Sequence, residues 1–402
     1  MNSDYYFEMA NTINTVKINV ERINHLLKLY GLTKPDFITK VGKGLKKPYS
    51  EDEVFSSEIK VSLLKKIDKI FSKGLSYYLD PQQVKENKEE SIFFRKDTFN
   101  AELNFGSKKI VTHFEEEKIS LSALSKMAGI KQDRILPVFT IRTNPKEVAQ
   151  KIREQLYPTF TNFKRDFLKS LIAKFAENNI LVFEFVETWN KKDKVNINGF
   201  YLSPETIVLK RNQNSFSREI FTLIHELGHY LLDEEEIDER INEDSSDYNS
   251  LNKIERWCND FAYYFLIGDY DSTINQLETA NAKNDYHHEI LDQISERTNL
   301  SVFALYTRLL ILNKISVATY RKIFNELSEK IKAREAEEKR KRELEKQRAL
   351  EEGRKIRGSV AKPILSPLLI STVQSAFIEG VINEAEFCRR LSIKPDKIDQ
   401  YI

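Results

Sequence analysis

The chain has 402 residues, with 63 Lys and Arg against 61 Asp and Glu and a formal net charge of +2. So even a balance excludes a general nucleic-acid binder, and any basic surface has to be local. Hydrophobic residues make up 41%, enough for at least one sizeable core and for two or three domains. Cys258 and Cys388 are the two cysteines, too few and too scattered for a disulfide framework or a cysteine-based zinc site, so a reducing cytoplasm is expected. Met1 to Asn14 lacks an apolar stretch of signal-peptide length, and no apolar run reaches membrane-spanning length, so no membrane partner is expected.

From Val20 to about Pro81 the pattern is helical. Ile23, Leu26, Leu27 and Tyr30 share a face, and Thr33 suits the N-cap and Pro35 the first turn of a second helix. This opening resembles a Xre/Cro-type helix-turn-helix, with Leu63, Leu64, Ile67, Ile70 and Phe71 on its closing helix. The stretch Lys43 to Glu53 departs from that pattern: where a recognition helix would stand it has Pro48 and the acids Glu51, Asp52 and Glu53, poor material for a major groove. Residues 1–82 are therefore expected to form a degenerate helix-turn-helix-like domain, with contact to protein and contact to DNA both open. Pro81 to Glu90 reads as a linker. Residues 91–160 read as a helical adaptor that starts at Ser91 to Arg95 and contains a short amphipathic helix of Leu121, Leu124, Met127 and Ile130, ended by Gly129.

The chemistry is concentrated in residues 161–316. Phe167 to Ala176 has helical spacing and stops at Asn178-Asn179; Ile180 to Val186 then reads as a buried strand, Asn198-Gly199 as a hairpin turn and Thr206 to Leu209 as a further strand. A helix from Phe216 carries the apolar stripe Ile220, Leu223, Ile224, Leu227 and Leu231, and within it stands His225-Glu226-Leu227-Gly228-His229. Four residues of helix turn through about 400° and rise roughly 6 Å, so both imidazoles project from one face and can hold one cation. Glu226 then lies beside the metal as a base for a bound water, the H-E-x-x-H arrangement of zinc peptidases.

Such a site needs a third protein ligand. With His25, His113, His225, His229, His287 and His288 as the only histidines, a carboxylate is the better candidate, and Glu255 is the strongest. It lies 26 residues after His229 at the start of another helical run, with Asn259 one turn further on and able to hydrogen-bond a ligand histidine. His287-His288, Tyr230, Tyr263 and Tyr264 are candidate donors to a tetrahedral intermediate, with none singled out.

The run Phe221-Thr222-Leu223-Ile224-His225-Glu226-Leu227-Gly228-His229, preceded by Gly199-Phe200 and Ile207-Val208-Leu209 and followed by Glu255, Cys258-Asn259 and Phe261-Ala262, resembles the ImmA/IrrE family of bacterial metallopeptidases over about Asp166 to Lys314. The resemblance implies a zincin-like core, Zn2+ held by His225, His229 and Glu255, and cleavage of a partner repressor. Ile224 and Cys258 both stand where the family often has Ala, and neither is a ligand position.

Asp233 to Ser250 reads as a solvated acidic loop, Leu291 to Lys314 as the helical end of the domain, and residues 325–357, rich in Glu, Lys and Arg, as a charged spacer helix. Residues 358–402 read as a small helical segment divided at Gly380, similar to the tail of longer ImmA/IrrE-like chains. The expected fold is therefore α+β, mainly helical, with a zincin-like core and small β-sheet between helical N- and C-terminal parts. The expected activity is zinc-dependent cleavage of a regulatory protein. The competing expectation is a DNA-binding or antitoxin-like regulator that uses the peptidase fold as a sensor.

Overall fold

The computed structural model describes residues 15–84, 103–187, 194–211, 215–236, 252–354 and 361–402. These fall into two compact units, one of residues 15–84 and 103–113, the other of the described residues from 114 onward. The division differs from the sequence boundaries at 82, 91 and 160. The helix foreseen from Ser91 lies outside the described residues.

In the first unit β1 (Thr15–Lys17) pairs antiparallel with β2 (Glu58–Lys60). Between and after them come α1 (Val20–Tyr30), α2 (Lys34–Val41), α3 (Glu51–Val54), α4 (Val61–Phe71) and α5 (Leu75–Leu79). Helices α1 and α2 start at local cap signals: the Asn19 and Thr33 side chains accept from Glu21 N and Asp36 N, and Gly31 closes α1 at a left-handed φ of 63°. Ile23, Leu26, Phe37, Leu64, Ile67 and Phe71 form the core. At the recognition-helix position stands α3, a four-residue turn fixed by a Ser50–Glu53 capping box, with three acids in its only turn.

The second unit begins within α6 (Phe105–Met127), which replaces the short helix expected at Leu121. Met127 is 68% exposed, so the apolar stripe ends before it, and Gly129 follows at a φ of 69°. Helices α7 (Pro145–Leu156) and α8 (Lys164–Glu177) precede a sheet of β3 (Leu181–Val186), β4 (Gly199–Leu202) and β5 (Thr206–Arg211). The order is β3-β5-β4, with β3 parallel and β4 antiparallel to the central β5. Asn198-Gly199 is not the hairpin turn: β4 begins at Gly199, and the chain reverses at Ser203-Pro204-Glu205, where the Ser203-Pro204 bond is cis.

Helices α9 (Phe216–Leu232), α10 (Lys253–Ile267), α11 (Tyr270–Gln276), α12 (His288–Thr298) and α13 (Val302–Ile311) complete the domain. One core runs through it, from Phe167 and Leu171 under β5 to Leu223, Leu227, Phe261 and Leu305. The charged helix is longer than expected: α14 (Val317–Glu351) starts eight residues before 325, because Tyr320 and Ile323 are buried in that core. Its exposed pairs, such as Lys341–Glu337 at 2.9 Å, contribute little apiece. The tail forms α15 (Pro367–Ile378) and α16 (Glu384–Leu391) with Gly380 between them at a φ of 69°, and it packs on α8. Gln132 Nε2 donates to Thr372 Oγ1 at 3.0 Å and Arg390 to Ser120 Oγ at 2.7 Å. No helix among the described residues is long and apolar enough to cross a membrane. The whole is a mainly helical α+β fold of zincin type.

A four-residue acidic α3 cannot lie along a major groove. The full chain should therefore bind duplex DNA weakly, without sequence preference and with steep loss of affinity as salt rises. Fluorescence anisotropy on several duplexes checks this, and a tight, sequence-specific complex would contradict it.

Candidate metal centre

The motif helix α9 starts at Ser215, whose side chain accepts from Arg218 N, and ends at Asp233 in a left-handed conformation. It is buried almost all round because β4 and β5 cover one side and α10 the other. The acids expected in a solvated loop after it are partly structural. Asp233 Oδ1 accepts from Tyr201 Oη at 2.9 Å and Ser203 Oγ at 3.1 Å, and the buried Glu235 accepts from Ser203 N at 2.7 Å. They tie the β4–β5 turn to the end of the motif helix. Residues 237–251 of that run lie outside the described residues.

Helix α10 starts one turn before Glu255. Asn252 caps it, with Oδ1 accepting from Glu255 N at 2.8 Å and Nδ2 donating to Glu236 Oε2 at 3.0 Å, so the turn that carries Glu255 is held at both its backbone and its flank. His225, His229 and Glu255 are buried, and one ligand atom of each lies within 4.8 Å of the others. The three separations are nearly equal: 3.2 Å between the two Nε2 atoms, 3.2 Å from His225 Nε2 to Glu255 Oε2 and 3.2 Å from His229 Nε2 to Glu255 Oε1.

His225 Nδ1 lies 3.0 Å from Asn259 Oδ1. An amide oxygen only accepts, so this ring carries its proton on Nδ1 and turns the Nε2 lone pair toward the cluster. Electrostatics favour positive charge at the same point. Burial would raise the Glu255 carboxyl, but His229 and His225 outweigh it and hold it well below the usual range. Burial opposes a charge on His229 too, but Cys258 and Glu255 raise its proton affinity well above the ordinary value.

A divalent cation fits this donor set. Three ligands about 2.0–2.1 Å from a tetrahedral zinc stand roughly 3.4 Å apart, close to the triangle here, and the buried Glu255 Oε1 receives no hydrogen bond that would hold it elsewhere. Glu226, 3% exposed, follows His225 on α9. Room for it is made by Gly199 on β4: a Cβ there would lie 3.1 Å from Glu226 Cγ and Oε1 and 2.8 Å from Thr222 Cγ2.

Of the other candidate donors, His287, His288, Tyr263 and Tyr264 are hydrogen-bonded elsewhere, whereas the buried Tyr230 hydroxyl has no hydrogen-bond partner among the described residues. His287 Nε2 is 3.0 Å from Glu278 O, and His288 Nδ1 2.6 Å from Tyr306 Oη. Tyr263 donates to Asp271 at 3.3 Å, Tyr264 accepts from Arg308, and the Tyr230 ring stacks under Arg134 at 3.9 Å.

Residues 177–310 match the model of the IrrE N-terminal-like domain family, Peptidase_M78. The segment is an IrrE N-terminal-like domain. The match runs from the end of α8 to α13 and includes His225, Glu226, His229, Glu255 and Asn259, as expected of the ImmA/IrrE resemblance and a peptidase. No curated protein and no solved structure matches the chain at a significant level.

Within the IrrE N-terminal-like domain the spacing of α9 and α10 rests on Gly228, a residue whose role the motif alone does not reveal. A Cβ there would lie 3.1 Å from Cys258 Cα and 3.0 Å from its Sγ. Backbone cannot give way as a flexible side-chain end can. Gly228→Ala should cost about 1–3 kcal/mol by overpacking, offset by up to ~1 kcal/mol of helix propensity, for a net lower Tm in thermal unfolding of the apo protein. An unchanged or higher Tm would mean that the helices part without cost.

Proposed function

We propose that the chain is a zinc-dependent endopeptidase of regulatory type, acting on a partner protein such as a transcriptional repressor. The observation that carries this reading is the near-equilateral triangle of His225, His229 and Glu255, with the buried Glu226 next to His225 on the same helix. The match to a peptidase family supports hydrolysis of peptide bonds in a protein substrate.

In this reading His225, His229 and Glu255 hold the ion, and Asn259 keeps His225 in the tautomer that can bind it. Bound there, zinc supplies Lewis-acid polarisation of the scissile carbonyl and lowers the pKa of water. Glu226 takes the proton of the attacking water and passes it to the leaving amine. Its burial between α9 and the Gly199 end of β4 holds the carboxylate in one place and limits its access to bulk water.

Two variants separate holding the metal from using it. Glu255→Ala removes one of three ligands, and metal analysis should show clear loss of the one zinc per chain expected in the wild type. Undiminished zinc would point to another carboxylate in the acidic run from Asp233 to Glu239, with Glu236, which shares Asn252 with Glu255, the first to test.

Glu226→Gln keeps size and most hydrogen bonding, so zinc content and thermal stability should stay near wild type while cleavage falls at least ~10²-fold. The assay is run in cells, against whole-proteome fragments or a co-encoded repressor, so that an activating signal can act. If Glu226→Gln keeps the wild-type regulatory phenotype and His229→Ala loses it, the site is sensory, and a DNA-binding or antitoxin-like regulator replaces the peptidase.

A further inference from the structure

The two histidines differ in how their second ring nitrogen is satisfied. His225 Nδ1 meets Asn259 Oδ1 at 3.0 Å. His229 Nδ1 is buried and has no hydrogen-bond partner of good geometry. An imidazole that turns its Nε2 lone pair to a cation carries its proton on Nδ1, and that N–H needs an acceptor to set the ring's tautomer and tilt.

The polar atom beside the His229 ring is Sγ of Cys258, the residue before Asn259 on α10. The thiol is fully buried against α9, 3.0 Å from the point a Cβ on Gly228 would occupy. It stands outside the set of donors that converge within 4.8 Å and packs on α9 at Gly228, the residue before His229. Adjacent residues of one helix thus face imidazoles four residues apart on the other.

We propose that Cys258 is a positioning residue of the metal centre: its sulfur accepts the His229 Nδ1–H and orients the ring, as Asn259 does for His225. This rests on His225, His229 and Glu255 being the metal ligands. A thiol sulfur is a weak acceptor, which makes His229 the less firmly held imidazole.

The test is zinc affinity of the full chain, read by competition with a chromophoric chelator for wild type, Cys258→Ala, Cys258→Ser and His229→Ala. Circular dichroism of the apo forms verifies folding. Alanine is smaller than the thiol and keeps the helix, so the apo fold is expected to persist. Loss of a group that orients a ligand typically lowers metal affinity 10- to 100-fold, and a weak acceptor sets the expectation for Cys258→Ala at the lower end, about 10-fold. Serine restores an acceptor and should return affinity to within about 3-fold of wild type, a rescue that a space-filling role would not give. In the cobalt-substituted wild type no thiolate-to-metal charge-transfer band is expected in the near ultraviolet.

Equal affinity of wild type and Cys258→Ala overturns the proposal, and so does a charge-transfer band that is lost in Cys258→Ala, which would make the sulfur a ligand. A wild type that binds zinc no better than His229→Ala sinks the metal reading itself, an outcome distinct from either.

Discussion

The close approach of α9 and α10 at Gly228 is the constraint on which the site depends. The motif helix supplies two imidazoles and the second helix a carboxylate, and the three groups meet at 3.2 Å only because Cys258 packs where a side chain on residue 228 would stand. Helix axes normally lie 8–10 Å apart, at a distance set by the side chains at the crossing. A glycine facing a small residue permits the lower end of that range. The same contact brings Cys258 and Asn259 to the histidine rings, so spacing, ligand geometry and ring orientation share one cause.

Such a cluster is costly without a cation. Two Nε2 lone pairs and a carboxylate facing one another in a buried space repel unless positive charge lies among them, and the opposed shifts of His229 and Glu255 express that demand. A buried ionic group of this kind adds little to stability over well-packed apolar residues. Its presence in an otherwise apolar helix pair is therefore better understood as a site than as a structural device.

The surroundings brace the two helices from outside. Asp233 and Glu235 fasten the β4–β5 turn to the end of α9, which fixes where Gly199 stands relative to Glu226. Ile364 N donates to Glu184 Oε2 of β3 at 2.5 Å. Burial raises this carboxyl to about 7, and the backbone donor and Arg211 offset part of that rise. The tail thus closes over a buried polar group on β3 as part of the same unit.

The sequence by itself determined the elements and the ligand candidates, because both depend on short-range periodicity. The i, i+4 spacing puts His225 and His229 on one face of any helix, and the stripe through Ile220, Leu223, Leu227 and Leu231 marks that face as buried. Glu255 and Asn259 were legible for the same reason, one turn apart on a helix begun by Asn252. The tertiary structure decided what depends on contacts between elements. Asn198-Gly199 has the composition of a turn, yet Gly199 is a strand residue, kept small by Thr222 and Glu226 of a helix more than twenty residues later. Met127 looks like core by spacing but points to solvent, while Leu124 one turn earlier on α6 is buried. The charged helix begins at Val317 because Tyr320 and Ile323 find a core that the charge pattern does not reveal. Cys258 reads as a neutral substitution until α9 lies against it, and a contact across helices leaves no periodic mark in either one.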